Sequence, residues 1–226
     1  MRTGTKIAIG AGTAVVVLGG AALVFGPGLY ADMNADRAEA APTVDSPGVS
    51  DVTDVAAFNG DWTVVEGESY AGYRVDEVLQ GQDVTVTGRT PDVAGTVSVA
   101  DGSVTAAEIT VDMTTVATDN DNRDEYFRDN ALNTGEFPTS TFTLTEPVAV
   151  EPGAESVALV GDLTVHGVTV PVTIDAEVGL TDTGARVAGS VPVTFADFGV
   201  QAPDLGFVSV EEAGEVEFLL DLVQNP

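Results

Sequence analysis

The chain of 226 residues has no cysteine, one histidine (His166), one tryptophan (Trp62) and one lysine (Lys6). The missing cysteines exclude disulfides, thiolate metal sites, thiol catalysis and a lipid-modified N-terminal cysteine. A lone histidine cannot build a histidine metal cluster, nor by itself a Ser/His triad. Hydrolase, phosphate-loop, zinc-protease and dinucleotide fingerprints are also missing, so neither enzyme activity nor a cofactor is expected. Positive charge is scarce: eight Lys and Arg stand against 36 Asp and Glu, a net charge of −28. Met1–Tyr30 holds Arg2 and Lys6 and no acid, leaving six basic and 36 acidic residues on the remainder, a formal −30. Such a surface repels nucleic acid and anionic headgroups, which excludes a nucleic-acid partner.

What is present begins with an uncharged run of 19 residues, Ile7–Phe25. As a helix it would span about 28 Å, close to the hydrocarbon thickness of a bilayer. Arg2 and Lys6 before it and Asp32 and Asp36 after it orient it with the N-terminus in the cytoplasm and the rest outside. Residues 1–30 are therefore read as a single-pass membrane anchor. Cleavage as a signal sequence, with secretion, is the alternative, since Ala38-Glu39-Ala40 has the small-x-small pattern. Residues 31–59, rich in Ala, Asp, Pro and Ser, read as a flexible tether. The folded domain is expected over 60–226.

From Gly60 onward the period is two. The segment Gly161–Ile174 alternates Leu163 and Val165 against Asp162 and Thr164. After His166-Gly167 it resumes with Val168, Val170, Val172 and Ile174 against Thr169, Pro171 and Thr173. Each half has one apolar and one polar face, and a glycine at the tip suits a tight hairpin turn. Similar strands are expected at Asp61–Val65, Tyr70–Val75, Asp83–Thr90, Gly95–Ala100, Ser103–Val116, Thr141–Thr145, Val157–Val165, Val168–Val178, Ala185–Phe195 and Glu215–Val223, with Asp101-Gly102 as a further turn. The stretch Asp119–Asn133 breaks the pattern and reads as a short helical segment. The fold class is all-β, an antiparallel barrel or sandwich of about eight strands. A barrel of that size is just wide enough to be filled by side chains or to hold one small ligand. Aliphatic inner faces, with aromatics only 6% of the chain, favour a cavity. A dry-cored structural or interaction domain uses the same residues and stays open as the alternative.

The domain resembles the YceI-like family of exported polyisoprenoid-binding proteins, in particular its membrane-anchored actinobacterial form. The likeness runs from about Gly60 to Val223. It rests on Asp61-Trp62-Thr63-Val64, Gly72-Tyr73-Arg74-Val75, Thr87-Gly88-Arg89-Thr90, Arg123-Asp124, Glu136-Phe137-Pro138 and Ser140-Thr141-Phe142. It continues through Gly161–Thr169 and Phe195-Ala196-Asp197-Phe198-Gly199 to Glu217-Phe218-Leu219-Leu220. The resemblance implies a lipocalin-like barrel closed at one end by the helical segment, with an isoprenoid or quinone-like lipid threaded into its lumen. Lumen candidates, as a set, are Val84, Val86, Val97, Val99, Ile109, Val111, Met113 and Phe142. Leu144, Leu163, Val165, Val170, Val172, Phe195 and Phe218 complete it.

Cations that are rare among so many acids invite a headgroup role, because guanidinium suits a phosphate. Arg74, Arg89, Arg123 and Arg128 are the candidates, with His166 beside them. Salt bridges to neighbours such as Asp124 and Asp129 are the plainer account of the arginines, and a turn position that of His166. Asp119-Asn120-Asp121-Asn122 resembles a calcium loop, but Arg123 and Asp124 break the ligand pattern. Helix capping accounts for it better, and no metal is expected.

Overall fold

The computed structural model describes residues 38–45, 58–79, 81–151, 153–180, 184–206 and 208–226; the apolar run Ile7–Phe25 lies outside them. Among the described residues no helix is long and apolar enough to cross a membrane. Twelve strands are present: β1 (Gly60–Val64), β2 (Tyr70–Leu79), β3 (Gln82–Thr90), β4 (Val93–Ala100), β5 (Ser103–Asp112) and β6 (Thr139–Leu144). They are followed by β7 (Val148–Ala149), β8 (Ser156–Val165), β9 (Val168–Leu180), β10 (Ala185–Thr194), β11 (Val208–Val210) and β12 (Ala213–Gln224). Eight of them run β1-β4-β5-β6-β8-β9-β10-β12, and β12 pairs back onto β1 to close an antiparallel barrel.

The expected strands appear with small shifts at their ends, and two shifts have visible causes. Instead of running to Val116, β5 stops at Asp112. The Asp112 carboxylate accepts from the Thr114 amide (2.9 Å) and hydroxyl (2.6 Å), turning Met113–Thr115 into a 3₁₀ turn. β10 gives way to a second such turn, Phe195–Phe198, ended by Gly199 at φ 69°. The helical segment is α1 (Asp121–Tyr126), continued by a wider π turn at Phe127–Ala131. Asn120 caps α1 by accepting from the Asn122 amide at 3.0 Å, in line with the capping account of that stretch. His166 and Gly167 sit at φ 52° and 73°, and Asp101 and Gly102 at 52° and 73°. Both pairs lie in the left-handed region that the favoured two-residue hairpin turns require.

β12 pairs with β10 along one edge, from Ala213 to Leu222. Along its other edge it meets β2 opposite Glu215–Leu219 and β1 opposite Leu222–Gln224. The break between β1 and β2 falls at Asp221, and two groups repair it. The Val65 amide donates to the Asp221 carbonyl (2.8 Å), and the buried Ser69 hydroxyl accepts from the Asp221 amide (3.0 Å). A side chain thus stands in for a missing strand partner.

Residues 38–45, expected to be part of a free tether, lie against the outer wall instead, with Pro42 and Val44 buried. The Val44 amide donates to Glu177 Oε2 at 2.8 Å.

Replacing Ser69 with alanine leaves the buried Asp221 amide unpaired, which costs about 1–3 kcal/mol. Urea denaturation of Ser69→Ala will show a lower midpoint with an unchanged slope.

Candidate functional site

The barrel encloses a cavity of about 670 Å³. Strand alternation builds it: inward positions of β4 give Val97 and Val99, β5 gives Ile109 and Val111, and β8 gives Leu163 and Val165. Val86, Met113, Phe142, Phe195 and Phe218 also line it. At one end α1 and the turn that follows it contribute Arg123, Tyr126, Phe127 and Leu132 to the lining. The lining reaches Gly102, Glu151 and Leu180 at the other rim.

Four lumen candidates are placed elsewhere. Val84 packs with Val75 and Val86 in the β2–β3 hairpin, which extends past the closed ring. Leu144 is buried at the end of β6 without lining the cavity. Val170 and Val172 pack against the cluster of Leu163, Ile174, Val191 and Phe198 without lining the cavity.

Sequence reasoning missed why the lumen stays open although large side chains point into it. The inward glycines supply the reason. A Cβ at Gly161 would lie 2.5 Å from the Phe142 ring, one at Gly189 2.9 Å from the Phe218 ring, and one at Gly88 2.5 Å from the Tyr73 ring. At Gly95 it would lie 2.6 Å from the Ile109 side chain. Each large group lies down over a glycine on the next strand, so its bulk follows the wall and leaves the axis free. The signal was legible in principle: all four glycines stand at inward positions of strands where alternation calls for an apolar side chain.

Polar groups on the wall are few. Ser140 Oγ, on the inward row of β6 with Phe142, is buried without a hydrogen-bond partner. Glu77 is buried at the α1 end, 3.4 Å from the Arg123 guanidinium, which also holds Asp119 at 2.8 Å. Arg123 is thus the one headgroup candidate on the cavity wall, and its partners are Glu77 and Asp119, not the expected Asp124. The Asp124 carboxylate instead accepts from the Thr118 amide (2.9 Å) and hydroxyl (2.7 Å).

The other headgroup candidates lie off the cavity. Arg74 and Arg89 project from the outer wall onto Glu217, whose side chain is 0% exposed, at 2.5 and 3.3 Å. Arg89 also lies over the Tyr70 ring, 4.5 Å from its centre. Arg128 is half-buried and has no ion pair among the described residues, so the expected bridge to Asp129 is not made. His166 stays a turn residue, with Nδ1 3.3 Å from the Phe198 carbonyl and its ring edge-on to Phe137 at 4.7 Å. Among the described residues no group of three or more His, Cys, Asp or Glu could hold a metal ion.

Tyr73 lines the cavity and stacks on Phe127 with 5.1 Å between ring centres. Burial pushes its phenol well above the ordinary value of 10.0, and Tyr70 is raised for the same reason. Above pH 10 the unfolded chain releases protons that the folded chain keeps, so stability falls as pH rises beyond that point. Tyr73→Phe will flatten the fall between about pH 10 and 11, read as the denaturation midpoint against pH; an unchanged slope would remove Tyr73 from the account.

A UPF0312 protein of Pseudomonas paraeruginosa is 36% identical over 127 residues, 53% of this chain and 62% of that protein. The chain therefore spans less than two thirds of that relative's length. Protein YceI of Escherichia coli is 32% identical over 162 residues, 62% of this chain and 82% of that protein. The structure of Burkholderia cenocepacia BcnA superposes with a TM-score of 0.57 at 18% identity, covering 71% of this chain and 99% of that one. A polyisoprenoid binding domain from Saccharophagus degradans, implicated in plant cell wall breakdown, gives 0.56 at 20% identity, covering 73% and 98%. At such identities the likeness is one of fold. The family description "YceI-like domain" matches residues 62–222, from the first barrel strand to the last, and the chain belongs to the YceI-like family.

Proposed function

We propose that this protein is a binding protein that holds an isoprenoid or similar amphiphilic lipid in the barrel lumen, for sequestration or transport. The observation that carries this reading is the cavity of about 670 Å³ walled almost entirely by aliphatic and aromatic side chains. That volume lies within the range typical of small-molecule sites, roughly 300–1,000 Å³. Burial of apolar carbon contributes about 0.8 kcal/mol per CH₂, so one five-carbon unit supplies roughly 3–4 kcal/mol before the cost of ordering the chain. A long tail thus needs no strong polar contact to bind. Ser140 offers its unpartnered hydroxyl to a polar group on the cargo. The polyisoprenoid-binding neighbour of like fold supports the choice of lipid class.

The same reading places the domain outside the cytoplasm, anchored by Ile7–Phe25 in the membrane-bound manner of the actinobacterial form. The supports are the length of that run, the basic residues before it and the acidic residues after it. A barrel beside the bilayer takes up lipid from the membrane without exposing the tail to water over a long path.

Protein purified from its own membranes will carry a prenyl-type lipid, seen as a mass increment in native mass spectrometry and identified in the organic extract. A ligand-free mass with no such lipid in the extract would count against the reading. Val111→Trp adds an indole to the lumen wall. In a lipid container loading falls several-fold while the thermal midpoint is largely kept. A dry core responds mainly by losing stability, by about 1–3 kcal/mol.

A further inference from the structure

The stretch Ala38–Asp45 has the composition of a linker, yet it is held by a built site on the outer wall. Arg74 Nη2 donates to the Glu39 carbonyl at 2.6 Å, and Arg89 Nη2 to the Ala40 carbonyl at 2.5 Å. The Glu39 amide donates to Thr87 Oγ1 at 3.1 Å, and the Val44 amide to Glu177. Both guanidiniums are positioned by Glu217, a fully buried carboxylate facing outward from β12. The exposed Glu39 carboxylate adds an ion pair to Arg89 Nη1 at 3.8 Å, and carbonyl oxygens of the stretch accept from guanidinium N–H groups that Glu217 leaves over. Pro42 and Val44, two residues apart as on an extended strand, press their side chains onto the barrel.

Direction matters as much as attachment. Ala38 and Glu39 share a shallow groove with Thr118, Asp119 and Arg123, beside the start of α1. Val44 reaches Glu177, near the far end of β9 and opposite Ser156 at the start of β8. The chain therefore meets the barrel at the α1 end and runs toward the other rim.

We propose that Ala38–Asp45 is a latch that fixes the α1 end of the barrel toward the membrane; this rests on the anchored reading given above. Held at Ala38, the α1 end lies 13 residues from Phe25, at most about 44 Å of extended chain, and a free linker to Phe58 would allow about 110 Å. The latch shortens the leash by more than half. It also selects which rim faces the lipid: the one where Arg123, Tyr126 and Phe127 line the cavity.

The test uses the full chain in phosphatidylcholine vesicles, where the lack of cysteine makes single labels clean. In amide exchange, Glu39 and Val44 will be slowed tenfold or more relative to free peptide, and Val44→Asp, which alters only the latch, will abolish the protection. A fluorophore at Glu125→Cys on α1 will transfer energy to a headgroup-labelled lipid more efficiently than one at Glu155→Cys on the opposite rim. Val44→Asp will erase that difference. Unprotected Glu39 and Val44 amides in the parent chain would overturn the latch. Protected amides with the Glu155 probe equal or nearer would overturn the orientation. If the chain does not float with the vesicles while its amides stay protected, the anchor fails, and the orientation with it, while the docked segment stands.

Discussion

Closure of the ring through β12 is the constraint on which the rest of the structure depends. One strand must satisfy β10 along one edge and divide the other between β1 and β2. The division is possible because Ser69 and Val65 occupy the backbone of Asp221 where neither strand reaches it. With the ring closed, no barrel strand is left with an open edge, and alternate side chains are committed either to the lumen or to the outer wall. β12 illustrates the commitment: Phe218, Leu220 and Leu222 line the cavity, whereas Glu217 and Asp221 face outward to Arg74 and Arg186. A shift of one residue would exchange these sets and place two carboxylates in the lumen.

The two faces of that wall do different work. The lumen is apolar and relies on non-directional burial, which suits a flexible hydrocarbon. The outer wall carries Arg74, Arg89 and Arg186, each matched to acids or to backbone carbonyls. In so acidic a chain the few cations are structural fasteners: Arg74 and Arg89 hold Glu217 and the Ala38–Asp45 stretch, Arg186 holds Asp221, and Arg123 ties α1 to Glu77 of β2.

The sequence made the strands legible because period-two alternation survives in nearly every one, and both hairpin tips are dipeptides with a single favoured geometry. Most of the lumen wall followed from the same alternation. What alternation cannot report is where a face stops bounding the cavity. Val170 and Val172 pair across from the inward Leu163 and Gly161 but pack into the wall cluster, and Val84 belongs to a hairpin that overshoots the ring. The arginines misled for a related reason. Rarity of a charge signals importance, but only the fold tells whether a guanidinium faces the lumen or a buried carboxylate. The Ala38–Asp45 stretch was illegible because its hydrogen bonds are made by backbone groups, which any composition provides, and its buried side chains are only Pro42 and Val44, too few to show a period.

The inward glycines have a consequence for divergence within such a fold. At Gly161, Gly189, Gly88 and Gly95 the neighbouring side chain lies where a methyl group would have to go. At Gly88 and Gly189 a substitution meets only side chains and drives a ring toward the axis, whereas at Gly161 and Gly95 the Thr143 and Glu108 carbonyls also stand 2.5 Å away, so the strand itself must shift. Internal capacity is thereby adjustable at Gly88 and Gly189, positions separate from those that define the architecture. Barrels with the same backbone can accept cargoes of different girth through changes at single residues.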